Sequence, residues 1–234
     1  MKDNTGSTPS VQSMENFLAS SVHDMKNSVS MLICGLEKAL AAADSTRLST
    51  YAGLVQMNHE AKRINSNLIQ LLTLYKLGQK IYPFDPQSMG LDDFLQAVVA
   101  QYMELLKSHG INLQVHADPG LYWYFDEDLI SGVIGNALNN AMRYTRDRIN
   151  IIARENNGKL ELRIEDNGEG YPVQMLQESV DNMRGVDFQG GSTGLGFYFS
   201  AMVARMHHNH SRLGELKLEN GGSLGGACFV LYLP

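Results

Sequence analysis

From Leu18 the apolar residues fall at Leu18, Val22, Met25, Val29, Leu32, Leu36 and Ala39, in alternating steps of four and three. That is a heptad seam, the mark of one helix laid along another. A second series, Leu54, Met57, Ala61, Ile64, Leu68, Leu71 and Tyr75, follows the break at AAADSTR and stops near Gly78, just before YPFDP. Two long helices joined by a short loop predict an antiparallel hairpin. A hairpin alone buries too little apolar surface to be stable, so its seam needs a partner. A second copy of the chain, giving a four-helix bundle across a two-fold axis, meets that need. Packing of both helices on the rest of the same chain is the alternative, but a strict heptad specifies helix-on-helix contact more than helix-on-sheet contact.

Beyond Pro86 the periodicity changes. A helix is predicted at about 91–109, then strands INLQVHA and LYWYF, a helix from Asp126 to Tyr144, and strands RINIIARE and KLELRIED. In KLELRIE the alternation puts Leu160, Leu162 and Ile164 on one face. A last helix runs from about Leu195 to His207, and strands GELKLEN and GACFVLYL follow. Helices and antiparallel hairpins in segments predict an α+β chain whose second part is a two-layer sandwich. The expected domains are a polar, disordered tail at 1–11, a helical hairpin at 12–80 and the sandwich at 81–234.

The chain has 234 residues, 44% of them hydrophobic, which is enough for one large domain or a small one with a medium one. A net charge of −6 without any Lys/Arg-rich run argues against a nucleic-acid or anionic-membrane surface. No apolar run reaches the roughly 20 residues that cross a bilayer, and the start lacks the apolar core of a signal peptide, so a cytoplasmic chain is expected. Cys34 and Cys228 are far apart and read as buried, reduced thiols. Trp123, in LYWYF, reads as packed in a sheet. The histidines of MHHNHS, His207, His208 and His210, read as helix-end residues rather than a metal site.

Three stretches carry candidate chemistry. In GNALNNAMRYT, Asn136 and Asn140 share a helix face, with Arg143 and Tyr144 a turn further on. Amide oxygens suit a hard cation such as Mg²⁺, an arginine suits phosphate and a tyrosine suits a base; a merely polar helix face is the other reading. In EDNGEGYP, Asp166 ends a buried strand, and Gly168 and Gly170 allow close approach to the backbone. A carboxylate there could accept from an exocyclic amine, although Asp-Asn-Gly is also ordinary turn chemistry. In GGSTGLGFYFS a glycine-rich loop enters a helix, where free N–H groups favour phosphate, or where the loop is simply a linker. It lacks the lysine of a P-loop, and no strand leads into it as in a Rossmann site.

In this order and spacing the three stretches resemble the N box, the D-x-G-x-G adenine box and the glycine box of bacterial two-component histidine kinases. Those enzymes share the Bergerat ATP-binding fold with type II topoisomerase ATPase subunits and heat-shock chaperones. HDMKN, residues 23–27, resembles the H box of the same family, on the first helix of its dimerisation and histidine-phosphotransfer domain. The resemblance spans about residues 12–234. It implies a homodimer that binds ATP and Mg²⁺, with Asn140 as direct metal ligand supported by Asn136. Arg143 would hold phosphate, Tyr144 would line the site, Asp166 would select adenine with Gly168 and Gly170 beside it, and the backbone of Thr193, Gly194, Leu195 and Gly196 would cover the phosphates. It further implies that His23 takes the γ-phosphate with Asp24 as its base, and passes it to an aspartate of a response regulator. Asn27 would orient water for a phosphatase activity, or is only a solvated helix residue.

Two departures stand out. The lid, about residues 171–193, is short, with Gly185, Gly190 and Gly191 as points of movement, Arg184 as its one cation and Phe188 the only candidate for an aromatic F box. No sensor segment precedes the hairpin, so a separate sensor protein or a missing input is expected. The family's ATP hydrolases carry glutamate where this chain has Asn136, which disfavours hydrolysis as the main activity. The rival readings are a phosphotransfer shuttle between regulators that does not use ATP, and a dimeric scaffold without catalysis.

Overall fold

The computed structural model describes residues 80–177 and 194–234 without a break, helical residues 63, 64, 66–71 and 73–78, and the single helical positions Met25 and Met31. His23, Asp24, Asn27, Cys34, Thr193, most of both heptad series with the four-helix bundle they predict, and the candidate lid beyond residue 177 lie outside the described residues. Among the described residues, no helix is long and apolar enough to cross a membrane.

Chain order beyond the helical stretch is β1 (Gln87–Gly90), α1 (Leu91–Ala100), α2 (Met103–Ser108), β2 (Asn112–Ala117), β3 (Tyr122–Phe125), α3 (Glu127–Tyr144), β4 (Arg148–Asn156) and β5 (Lys159–Asp166). Then come α4 (Val173–Gln177), α5 (Leu195–Met206), β6 (His208–Asn209), β7 (Arg212–Leu213), β8 (Glu215–Asn220) and β9 (Ala227–Leu233). The main sheet has the order β2-β4-β5-β9-β8. It is mixed: β2 runs parallel to β4, and the other neighbours are antiparallel. The parallel pair differs from the expected hairpins because β3 leaves to pair with β1 in a small separate sheet, and α3 then crosses back over the main one. In that small sheet Trp123 pairs with Met89, and its indole N–H donates to the carbonyl of Pro234 at 3.2 Å.

The helix predicted at 91–109 is two helices. Gln101 and Tyr102 bond back only three residues, to Val98 and Val99, which ends α1 in a tight turn. Tyr102 thereby lays its hydroxyl against Gly135, 2.8 Å from where a β-carbon would stand. α3 is better specified. Asp126 caps it, accepting from the backbone N–H of Leu129 at 3.1 Å, and Glu127 and Asp128 complement the positive end of its dipole.

Leu160, Leu162 and Ile164 face the helices and pack in one core with Ile149, Ile151, Ile130, Ile134, Leu138 and Phe199. Gly132 lets α3 come close to Phe199 of α5, leaving 3.2 Å for an added β-carbon. Leu74 and Leu77 of the helical stretch join the same core, so that stretch is docked on the sandwich. Its seam positions Leu68 and Tyr75 remain 40% and 50% exposed. On the opposite sheet face Arg163 bridges Glu161, Glu165 and Glu219 at 3.3, 2.9 and 3.2 Å. Burial pushes the Glu165 carboxyl up, but hydrogen bonds from Ser223 and Arg163 outweigh it and hold the group below the usual range.

Candidate functional site

β5 delivers Asp166 to the rim of the sheet, where it is 4% exposed. Its Oδ1 accepts from the backbone N–H groups of Gly168 at 2.7 Å and Ala227 at 3.2 Å. Burial raises its pKa above the usual carboxylate value, against the lowering effect of those two bonds. Among the described residues nothing engages Oδ2, which leaves one oriented acceptor for a ligand.

The backbone closes tightly around this carboxylate. A β-carbon on Gly168 would lie 2.2 Å from the carbonyl oxygen of Tyr144, and one on Gly226 would lie 2.4 Å from that of Asp166. Gly170 has φ +86 and sits on the amide of Asn220, which accepts from Tyr171 N–H at 2.7 Å and donates to Tyr171 C=O at 2.8 Å. Asn167 turns the other way. Its Oδ1 accepts from the hydroxyl of Thr145 and the backbone N–H groups of Arg146, Asp147 and Arg148, at 2.8 to 3.2 Å. One amide thus fixes the turn that follows Tyr144.

Tyr144 is half exposed, and the Arg143 guanidinium lies 5.4 Å from its ring centre. Asn140 carries no hydrogen bond among the described residues, so its amide oxygen is available to a cation. Asn136 is committed at both ends, accepting from Gln70 Nε2 at 2.5 Å and donating to the carbonyl of Gly196 at 3.3 Å. Gly194 has φ +69 and begins α5 without a side-chain cap, so the first N–H groups of that helix are open to an anion. Leu195 and Phe197 anchor the same turn in the core, and Tyr171 meets Phe197 edge-on with ring centres 5.9 Å apart.

The sequence-predicted residues therefore fall into two joined groups: Asp166, Gly168 and Tyr144 around the DNGEG turn, and Asn136 with Gly196 where α3 meets α5. Asn167, Asn220, Gly226 and Gln70 were not singled out. Asn167 stands inside DNGEG, and Gly226 before a strand is a signal of close backbone approach. Asn220 and Gln70 act through partners 49 and 66 residues away, which no local pattern reveals.

His207 has a different role. Its ring is buried, Nδ1 donates to the carbonyl of Val203 at 2.8 Å, and Nε2 accepts from the backbone N–H of Asp126 at 3.0 Å. It joins the end of α5 to the start of α3 and meets Phe84 edge-on at 5.0 Å. Burial, with His208 nearby, lowers its pKa despite Val203 and Asp126, so the ring is neutral.

A mixed sheet covered by helices, with a buried carboxylate at its rim and an uncapped helix start at Gly194, is a sandwich of the Bergerat type. Residues 125–234 match the family described as histidine kinase-, DNA gyrase B-, and HSP90-like ATPase. The chain is 25% identical over 231 residues to sensor protein SrrB of Staphylococcus aureus strain N315, a match that covers 95% of the chain and 38% of that protein. The chain thus spans well under half the length of this curated relative. Among solved structures, Acinetobacter baumannii histidine kinase AdeS matches with a TM-score of 0.62 at 15% identity, over 90% of this chain and 96% of that one. The catalytic domain of histidine kinase ThkA matches with a TM-score of 0.53 at 19% identity, over 64% of this chain and 95% of that one. The resemblance to two-component sensor histidine kinases is upheld; the structural likenesses concern the fold.

Proposed function

We propose that the chain is the kinase core of a sensor histidine kinase: a dimerising hairpin at about 12–80 that carries the phosphoacceptor, and a catalytic domain at about 81–234 that binds Mg·ATP. The observation that carries this reading is the half-satisfied Asp166. Its Oδ1 is held by two backbone N–H groups, and its Oδ2, which nothing among the described residues engages, would accept from the exocyclic amine of adenine. The exposed seam residues Leu68 and Tyr75 support the homodimer.

Asn140, whose amide has no hydrogen bond among the described residues, fits a Mg²⁺ ion that would supply charge neutralisation on the phosphates. Arg143 can leave the Tyr144 ring to meet a phosphate, and the start of α5 at Gly194, Leu195 and Gly196, with Thr193 before it, covers the phosphate chain. His23 attacks the γ-phosphorus through a neutral ring nitrogen, ADP leaves, and Asp24 accepts the hydrogen bond of the other nitrogen, fixing the tautomer. The phosphoryl group then passes to an aspartate of a response regulator, whose aspartyl phosphate Asn27 exposes to an oriented water.

Incubation with γ-labelled ATP and Mg²⁺, followed by a receiver domain, tests the reading. Acid-labile label on the wild type, absent from His23→Ala and Asn140→Ala, is the expected result. Label that arrives only from a phosphorylated regulator would replace the kinase with a shuttle, and no label by either route would leave a scaffold.

A further inference from the structure

Gln70 lies on the helical stretch that docks against the catalytic domain, and it is 4% exposed. Its Nε2 donates to Asn136 Oδ1, and Asn136 Nδ2 donates to the carbonyl of Gly196, which also accepts from Ser200 Oγ at 2.7 Å. A carbonyl only accepts, so Gly196 dictates which end of the Asn136 amide faces it. Asn136 then dictates which end of Gln70 faces back. The amides form a directed chain from the helical stretch, through α3, into the first turn of α5.

The chain has an open end. Among the described residues, Gln70 Oε1 is buried without a partner, as is Asn139 Oδ1 one turn beyond Asn136. Buried acceptors without donors are costly, and an apolar residue at position 70 would avoid that cost. What the glutamine provides in exchange is orientation: Gly196 lies flat against the Asn136 amide, with 3.3 Å from its added β-carbon position to Asn136 Cγ.

We propose that Gln70 is a positioning residue of the nucleotide site, which holds Asn136 in the orientation that grips Gly196 and so makes the order of the glycine box depend on docking of the helical stretch. The nucleotide part rests on the ATP-binding reading above; the amide chain does not.

The test uses the full chain with two variants. Gln70→Leu removes the donor, and Gln70→Glu keeps the length but only accepts, drawing Asn136 Nδ2 away from Gly196. Circular dichroism verifies folding, and if the leucine variant fails to fold the glutamate variant carries the test. Deuterium exchange at residues 198–202, the first hydrogen-bonded amides of α5, is expected to quicken roughly tenfold in both variants, with β5 and β9 unchanged. In an Asn136→Ala background the same substitutions should add nothing, because the chain is already cut. Mg·ATP affinity should weaken roughly three- to tenfold. Unchanged exchange at 198–202, an undiminished effect in the Asn136→Ala background, or wild-type Mg·ATP affinity in both variants overturns the proposal. If the wild type binds no Mg·ATP yet exchange shifts as stated, the ATP reading falls and the amide chain stands.

Discussion

Replacing His207 by phenylalanine separates its shape from its nitrogens. The new ring retains most of the volume and the edge contact with Phe84, but loses the bonds to Val203 and Asp126. The Asp126 N–H is buried, and leaving it unpaired costs about 1–3 kcal/mol; the orphaned Val203 carbonyl adds about 1, for roughly 2–4 kcal/mol in all. Urea unfolding at pH 7.5 should show this as a lower midpoint with an unchanged slope. A second arm follows from the lowered pKa of His207. The unfolded chain takes up a proton below about pH 6.5 that the folded ring refuses, so the wild type loses stability there, at up to about 1.4 kcal/mol per pH unit. The variant lacks that linkage, and other titrating groups cancel in the comparison. The gap between the two proteins should therefore narrow from pH 7.5 to pH 5. A loss below about 0.5 kcal/mol at pH 7.5, or a gap independent of pH, refutes the assignment of both nitrogens.

Gly168→Ala forces a β-carbon to 2.2 Å from the Tyr144 carbonyl, and should cost about 3 kcal/mol or more in a denaturant titration, whereas Gly78→Ala, with open space, should stay within about 0.5. Asn167→Ala removes the acceptor of the Thr145 hydroxyl and three backbone N–H groups, and should destabilise by about 2–3 kcal/mol in the same assay. Asp166→Asn keeps an oxygen for Gly168 and Ala227 but offers the ligand no carboxylate. Calorimetric titration should show Mg·ATP affinity lower by at least about tenfold. Because the Asp166 pKa is raised, the fold favours the neutral carboxyl, and that stabilising contribution is lost as pH rises through the folded-state pKa. The asparagine variant should therefore be as stable as the wild type or more so at pH 7, the difference vanishing toward pH 3.

The elements that periodicity reads well are those whose partners are nearby or repetitive. α3 announces itself by its cap and apolar stripe, and β5 by strict alternation, so Asn136, Asn140 and Asp166 could be placed from the sequence. β1 could not: QSMG has no alternation and exists because β3 comes back to it. The break after Ala100 depends on Tyr102 finding Gly135, and the helical pattern runs through it unmarked. His207 is similar, for its character is set by Asp126, 81 residues away, rather than by the neighbouring histidines. Within the candidate site, the residues proposed to touch a ligand are legible through their chemistry. Residues that hold them, Asn167, Asn220 and Gln70, are common polar types whose meaning lies in a distant partner.

The position of β9 in the sheet has a consequence for synthesis. β9 enters between β5 and β8, and its first residue supplies one of the two N–H groups on Asp166. Until residues 227–233 leave the ribosome, β5 lacks one neighbour and the carboxylate lacks one of its bonds. A nascent chain therefore lacks the finished setting of Asp166, however much of α3 has already formed. Completion of that carboxylate's hydrogen bonds would thus mark a chain that has been made through β9, and would come as a late step in folding.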